Sequence, residues 1–161
     1  MKYEYEREIL LDLLNGGMAH MPFNEVVDEF PMEHINDIFP HGEYGAWALI
    51  EHMRITQRDI LDFIVDSNYN ELEWPLQYWP KKDAKATKKE WDKTVELFTK
   101  DLESLKDIVK DPSTDLFYVI PWGDGQTIYR EMILVGDHNS YHTGELGIMR
   151  QTMQTWGKHH K

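Results

Sequence analysis

Residues 136–146, GDHNSYHTGEL, carry two histidines at helical spacing. His138 and His142 are four residues apart, so on an ideal helix they differ by about 40° in direction and point to the same side. Four apolar residues of this helix lie within about 80° of that direction; they are Val135, Leu146, Met149 and Met153. The histidine pair is therefore predicted to lie on the apolar stripe that faces the core.

Two histidines in an apolar setting have two interpretations. They are neutral core residues that hydrogen-bond to other groups, or they bind a metal ion. Helical histidines at positions i and i+4 are one way to place two ligands on one ion. A complete site needs a third ligand from elsewhere in the chain, and spacing alone leaves both interpretations open.

Apolar periodicity outside this stretch predicts a chain built from helices, with no clear strand and no internal repeat. Two short helical pieces are expected between the first two long helices. The predicted ranges are 3–14, 22–39 for the two short pieces, 44–66, a helix from Thr87 to Asp111, and 128–156. The expected fold is an all-α four-helix bundle, formed by a single domain at 1–158 and followed by a tail at 159–161.

Helix-end signals support these boundaries. Thr87 and Glu90 match a capping box, and Thr127 is predicted to cap the last helix. That last helix contains three glycines, each of which costs about 1 kcal/mol relative to alanine; they are Gly136, Gly144 and Gly147. Close approach of a neighbouring helix would account for them.

The composition excludes several classes of function. The chain of 161 residues has no cysteine, so it has no disulfide, no thiolate ligand and no protein thiol nucleophile. Its formal net charge of −12 is expected to repel nucleic acids and anionic membranes. The charged start MKYEYEREIL does not resemble a signal peptide, and no apolar run is long enough to span a membrane. We expect a cytoplasmic protein without nucleic-acid or membrane partners.

Among the remaining histidines, His52 is the one at the middle of a long predicted helix. It lies at the edge of the apolar stripe, which suits a ligand that faces a cleft between helices. An ordinary half-buried histidine suits that position more readily. His20, His34 and His41 adjoin glycine or proline turns and are expected at the surface, and His159 and His160 belong to the terminal tail.

Three segments together resemble the DinB-like superfamily of metal-binding four-helix bundles. They are AWALIEHMRITQRDIL at 46–61, DGQT at 124–127 and DHNSYHTGELGIMRQ at 137–151. The EWP and YWP tripeptides, the WDKTVELFTKDLESL helix and the DPSTDLF turn are also similar to that family, so the resemblance spans nearly the whole chain. It implies that His52, His138 and His142 bind a divalent metal ion, and histidine nitrogen suits zinc and nickel.

The resemblance also implies three functional hypotheses. DinB-like proteins are similar in fold to enzymes that use low-molecular-weight thiols such as bacillithiol, mycothiol or glutathione, and to metal-dependent hydrolases. The leading hypothesis is a transferase that places such a thiol on a small-molecule electrophile. The second is hydrolysis by metal-activated water, and the third is a non-catalytic, metal-stapled module for binding or stress response. A homodimer is expected from the same resemblance.

Two glutamates flank the histidine pair on the predicted helix. Glu131 and Glu145 lie about 20° on either side of the His138 direction, so either is a candidate fourth ligand. Glu145 could instead hydrogen-bond the imidazole of a ligand. For Glu131, pairing with a neighbouring side chain is the favoured interpretation.

Other nearby residues are expected to have lesser roles. Asp137 and Asn139 point away from the stripe and are expected to be exposed, and Tyr141 is expected to pack beside the site. The two long loops carry tryptophans that either wall an apolar substrate pocket or pack within the loops; these are Trp74, Trp79 and Trp122.

Overall fold

Helices account for the regular structure of this chain. The computed structural model describes residues 2–156, which contain no strand, only isolated bridges at Ile38–Gly45 and Val119–Thr127. The helices are α1 (Glu4–Asn15), α2 (Phe23–Val27), α3 (Ala46–Val65), α4 (Lys88–Lys110) and α5 (Ile128–Thr152), with a 3₁₀ turn at Met32–His34. The prediction of an all-α protein is confirmed, while the predicted tail at 159–161 lies outside the described residues.

The longer helices pack against one another. Helix α3 contacts both α4 and α5, α1 contacts the same two helices, and the short α2 lies against α5. The two short elements lie between α1 and α3 along the chain, as the sequence predicted. Helices α3 and α5, which carry the histidines of interest, are therefore direct neighbours.

The predicted helix ends are largely confirmed. The side chain of Thr87 accepts from the backbone N–H of Glu90, and the Glu90 carboxylate accepts in return from Thr87, which completes the capping box. Thr127 caps α5 by accepting from the backbone N–H of Arg130 at 3.2 Å. Helix α5 ends at Thr152, four residues before the predicted end, because the chain turns at Gln154 with φ of 56°.

The apolar stripes of α3 and α4 form much of the core. The stripe of α3 is buried along its whole length; its members are Ala46, Leu49, Ile50, Met53, Ile60, Leu61 and Ile64. On α4 the buried members are Trp91, Phe98, Leu105 and Val109. Each fully buried side chain of this size contributes about 1.5–3 kcal/mol relative to an exposed one, so this packing holds α3 in register with its neighbours.

Two buried arginines close the ends of helices. Arg7 on α1 donates to the carbonyl oxygens of Val109 and Thr114, at the end of α4 and just beyond it. Arg150 on α5 is 1% exposed and holds the carbonyls at the end of α2. Both arginines satisfy backbone acceptors that have no partner within a helix.

Candidate metal centre

Three buried or half-buried histidines meet between α3 and α5. His52 comes from α3, and His138 and His142 come from α5; one nitrogen from each ring lies within 4.8 Å of the others. The Nε2 atoms of His52 and His138 are 3.2 Å apart. The ring centroids are 5.1 Å apart for His52 and His138, 4.9 Å for His52 and His142, and 4.5 Å for His138 and His142. We call these residues the histidine triad, and they could hold a metal ion.

The positions of the triad follow from local structure. Residues four apart on a helix share a face, so His138 and His142 both point from α5 toward α3. His52 is 3% exposed and therefore lies inside the α3 stripe and not merely at its edge. Close approach of α1 to α5 is visible at Gly136, where an added Cβ would lie 2.3 Å from the side chain of Leu13 on α1. The predicted reason for a glycine in α5 is confirmed there; a Cβ at Gly144 or Gly147 would meet nothing closer than 4.0 Å.

His52 is held from outside the triad. Its Nδ1 lies 2.8 Å from the backbone oxygen of Tyr78, which can only accept, so Nδ1 carries the proton and Nε2 the lone pair. The Tyr78 hydroxyl donates to Asp59 at 2.7 Å, which fastens this loop to α3. The ring of Trp79 stacks on His52 with centroids 4.0 Å apart and 1° between the planes. Burial lowers the pKa of His52, so the ring is neutral.

His142 has a carboxylate partner. Its Nδ1 donates to Oε2 of Glu145 at 2.9 Å, and the hydroxyl of Tyr44 donates to the other oxygen of the same carboxylate. Burial alone would raise the pKa of Glu145, but the hydrogen bonds from His142 and Tyr44 outweigh it and hold that pKa below its usual value. Burial, followed by the contact with Glu145, raises the pKa of Tyr44. Glu145 is thus an anion that orients a triad ring, one of the two roles considered from the sequence.

His138 is the most perturbed member of the triad. Burial, then the neighbouring His142 and His52, lower its pKa to about 3. Its ring is therefore neutral at physiological pH. Within residues 2–156, Nδ1 of His138 has no hydrogen-bond partner of standard geometry, unlike Nδ1 of the other two rings.

The remaining acidic candidates lie outside this cluster. Glu131 is 2% exposed, and its carboxylate accepts from Arg130 at 2.7 Å, which matches the favoured interpretation of a paired side chain. Among residues 2–156, no carboxylate joins the three histidines as a further ligand. A metal ion held by these three histidines alone would keep coordination positions open.

The other histidines lie apart from the triad. His20 is half-buried and hydrogen-bonds to Ser140 Oγ and Met21 O, so the expectation of a surface position is only partly met. His34 pairs with Asp37 at 2.7 Å. His41 is exposed, as expected. His159 and His160 lie outside the described residues.

Of the residues near the site, Asn139 differs from the prediction and Tyr44 was not predicted. Asp137 is exposed as expected, but Asn139 is half-buried and hydrogen-bonds to α3, so its predicted exposure is wrong. Tyr141 is 71% exposed, and its ring edge contacts His142 with centroids 4.9 Å apart. Tyr44 was missed, since nothing in its local sequence connects it to a residue 101 positions away.

The three loop tryptophans have different positions. Trp79 stacks on His52 and forms one wall of the triad. Trp74 is 69% exposed and packs against the Tyr78 ring, and Trp122 donates to the backbone oxygen of Phe63. Two surface grooves, of about 740 and 480 Å³, are lined by other residues and by none of the triad.

Comparisons with known proteins identify no relative. No protein-family model, no curated protein and no solved structure matches this chain. Within residues 2–156, no helix is both long enough and apolar enough to cross a membrane.

Proposed function

We propose that this chain is a divalent-metal protein of the DinB-like type, and that its metal centre transfers a low-molecular-weight thiol to an electrophile. The metal ligands are His52, His138 and His142, and the ion is zinc or nickel. One observation carries the proposal: one nitrogen from each of three imidazole rings, on two helices, lies within 4.8 Å of the others, with the outward nitrogens of His52 and His142 held by Tyr78 and Glu145.

Two further features support the DinB-like assignment. The chain has four long helices with short helical turns between the first two, and this number of long helices agrees with the four-helix bundle that the resemblance implies. The triad takes one histidine from the second long helix and an i, i+4 pair from the last, again as the resemblance implies. Neither feature depends on the other, since helix order follows from chain patterning and the triad from tertiary packing.

The donor set suits a thiol as cosubstrate. Three neutral imidazole ligands do not reduce the charge of a divalent ion. The ion would therefore keep a bound thiol deprotonated at neutral pH. The sulfur of that thiolate would form a bond to the electrophilic carbon, whose leaving group departs with the bonding electron pair. The thiol proton passes to solvent. No protein cysteine exists to compete for the ion.

The chain's own residues orient the reacting groups. Tyr78 and Glu145 hold two of the rings so that their lone pairs face the centre. Trp79 covers His52 and excludes water from that side. Glu145 already accepts from His142 and Tyr44, which makes it a poor general base for activating water. This occupied carboxylate favours thiol transfer over hydrolysis.

A non-catalytic role is the second candidate. The triad histidines line neither of the two surface grooves, and His52 and His142 are 3% and 8% exposed. A metal there would join α3 to α5 and stabilise the fold without turning over a substrate. Chelation would then lower the melting temperature strongly and remove no activity.

Metal content per chain tests the proposal first. Mass spectrometry on protein purified without nickel resin should find one metal ion per chain in the wild type and none in His52→Ala. His34→Ala is the matched control and should keep the metal. A wild type that stays free of metal after zinc and nickel are offered would end the proposal.

Thiol dependence then separates the functions. Turnover of an electrophile such as an epoxide or haloarene should require both the metal and an added small thiol. Turnover of an ester without any thiol would indicate hydrolysis. Full metal occupancy with neither activity, together with a large fall in melting temperature on chelation, would indicate the structural role.

A further inference from the structure

The segment between α3 and α4 covers one side of the histidine triad. Most of residues 66–80 are exposed, whereas Tyr69, Tyr78 and Trp79 are half-buried. The Trp79 ring lies parallel to the His52 ring, with centroids 4.0 Å apart. A segment that buries so little apolar surface is positioned mainly by its polar contacts. The contacts that attach it to α3 therefore decide where Trp79 lies.

One carboxylate on α3 holds this segment at two points. Asp59 is half-buried; its Oδ1 accepts from the hydroxyl of Tyr69 at 3.0 Å, and its Oδ2 accepts from the hydroxyl of Tyr78 at 2.7 Å. An ionised carboxylate can only accept, so each tyrosine directs its single hydroxyl proton at α3. Hydrogen bonds to a charged acceptor are stronger than those between neutral groups. Asp59 is therefore an anchor for the segment.

Tyr78 connects Asp59 to the triad. His52 and Asp59 are seven residues apart on α3, which separates them by about 10.5 Å along the helix axis and leaves them on nearly the same face. The side chain of Tyr78 reaches Asp59, while its backbone oxygen accepts from Nδ1 of His52 at 2.8 Å. Trp79 follows Tyr78 directly in the chain. Holding the Tyr78 hydroxyl at Asp59 thus restricts where its carbonyl and the Trp79 ring can lie.

The outer partners of His52 and His142 differ in origin. Glu145 is on the same helix as His142, three residues further on, so helix geometry alone brings the two together. The partner of His52 is a loop carbonyl 26 residues away, which no helix geometry places. If that carbonyl moved away, Nδ1–H of a buried ring would lose its acceptor. The partner of His52 therefore needs an anchor of its own, and Asp59 supplies it.

We infer that Asp59 is a positioning residue for His52 and acts through Tyr78. By fixing the Tyr78 hydroxyl, it keeps the carbonyl of that residue on Nδ1–H of His52 and the Trp79 ring against the imidazole. The lone pair of His52 Nε2 then stays on the inner side of the triad, 3.2 Å from Nε2 of His138. The consequence for metal affinity rests on the proposed function, whereas the position of Trp79 over His52 does not.

Conservative variants isolate the anchor. Asp59→Asn keeps the size of the side chain and removes its charge. Tyr78→Phe removes the hydroxyl and keeps the ring and the backbone oxygen. Tyr69→Phe removes the hydroxyl from the other oxygen of the same carboxylate. Asp62→Asn is the matched control, since it makes the same substitution on the same helix at a carboxylate that pairs with Arg58 and not with the loop.

The ring protons of His52 report its contact with Trp79. Because the imidazole lies against the face of an indole, these protons should resonate upfield of those of an ordinary histidine in the NMR spectrum of the metal-free protein. Trp79→Leu defines their position without the indole. Asp59→Asn and Tyr78→Phe should move the resonances toward those of Trp79→Leu. Asp62→Asn should leave them at the wild-type position.

Competition with a chelator gives the Kd for zinc of the same proteins. Asp59→Asn and Tyr78→Phe should raise it by about tenfold, the lower end of the usual effect of losing an outer partner of a histidine ligand, because the carbonyl of residue 78 is retained. Tyr69→Phe should raise it by less. Asp62→Asn removes a surface ion pair and should stay within about twofold of the wild type.

The outcomes separate this inference from the proposed function. Wild-type His52 resonances in both Asp59→Asn and Tyr78→Phe would overturn the inference, and so would a wild-type Kd in both. An equal effect in Asp62→Asn would also overturn it, since any charge lost from α3 would then act alike. A wild type that binds no zinc would end the proposed function, and the His52 resonances would still decide the inference. If Asp59→Asn does not fold, Tyr78→Phe decides, because it removes a single oxygen atom.

Discussion

Helix α5 carries two buried polar clusters that satisfy their polar atoms in opposite ways. Arg150 is 1% exposed, and its guanidinium is surrounded by backbone acceptors and aromatic faces. The acceptors are the carbonyl oxygens of Val26, Asp28, Glu29 and Thr155, at 2.7–3.3 Å. The histidine triad instead directs its inner nitrogens at one another, with 3.2 Å between Nε2 of His52 and of His138.

The difference separates a structural cluster from a candidate ligand site. Backbone oxygens accept from both terminal nitrogens of the Arg150 guanidinium, and within residues 2–156 only its Nε lacks a partner, so most of its donors are already used. In the triad, the outer nitrogens of His52 and His142 have protein partners, and the inner nitrogens of His52 and His138 meet only each other, so the inner side remains available to a cation. Burial alone therefore does not mark a functional residue; the direction of the unused lone pairs does.

His138→Ala should give the largest effect on the triad. We expect it to abolish metal binding, since it removes one of three ligands, while far-UV circular dichroism stays at the wild-type level. Metal content by mass spectrometry and helical content on the same sample test this. His20→Ala is a control, because His20 contacts α5 at Ser140 and lies outside the triad. Retention of one metal ion per chain in His138→Ala would contradict the assignment.

Arg150→Met should have the converse effect. It leaves several carbonyls without a donor, each of which costs about 1–3 kcal/mol, so unfolding in urea should show a loss of roughly 3 kcal/mol or more. The folded fraction should bind metal with nearly the wild-type Kd. Arg150→Lys keeps the charge but lacks the planar guanidinium, so its free energy of unfolding should lie between those of the wild type and Arg150→Met. If Arg150→Met is as stable as the wild type but no longer binds metal, the Arg150 cluster is part of the metal site and not a separate structural cluster.

Low pH should reduce the free energy of unfolding of the metal-free protein, because His138 in the triad is buried in its neutral form. The pKa of His138 is lowered to about 3 in the folded state, against about 6.5 in the unfolded chain, so between these values the unfolded state binds more protons. Stability contributed by neutral His138 is present above about pH 6.5 and is lost as the pH falls toward 3, by up to about 1.4 kcal/mol per pH unit.

Urea unfolding over this range tests the pH prediction. The slope of the free energy of unfolding against pH should be smaller in metal-free His138→Ala than in the metal-free wild type. The lowered pKa of Glu145 contributes only in the more acidic part of the range, below its unfolded value. Equal slopes in the two proteins would mean that His138 is not held neutral by burial.

The smallest effect should come from the outer contacts of His142. Glu145→Gln should raise the Kd for zinc by about tenfold, because an amide holds the ring less firmly than a carboxylate. Tyr44→Phe should raise it by less, since Tyr44 acts only through Glu145. Tyr141→Phe keeps the ring beside His142 and alters no contact with Glu145, so isothermal titration should find its Kd unchanged. A Tyr44→Phe effect larger than that of Glu145→Gln would place Tyr44 at the ion itself.

Local patterns were sufficient for several features. The i, i+4 spacing of His138 and His142, the capping box at Thr87 and Glu90, and the apolar stripe of α3 are all confirmed. Each involves residues within one helix, where the 3.6-residue period fixes which side chains share a face. The all-α class follows from the same periodicity.

Tertiary packing decided what the triad meets. From its position in the sequence, His52 was interpreted as an ordinary half-buried residue. In the structure it is buried beside α5, because α3 and α5 pack with their histidines at the same level. Asn139 points away from the apolar stripe of its own helix, yet α3 covers it through Gln57. Helical period determines the direction of a side chain within its own element. Which group stands opposite depends on the register between helices, and that register is set by contacts between residues far apart in the chain.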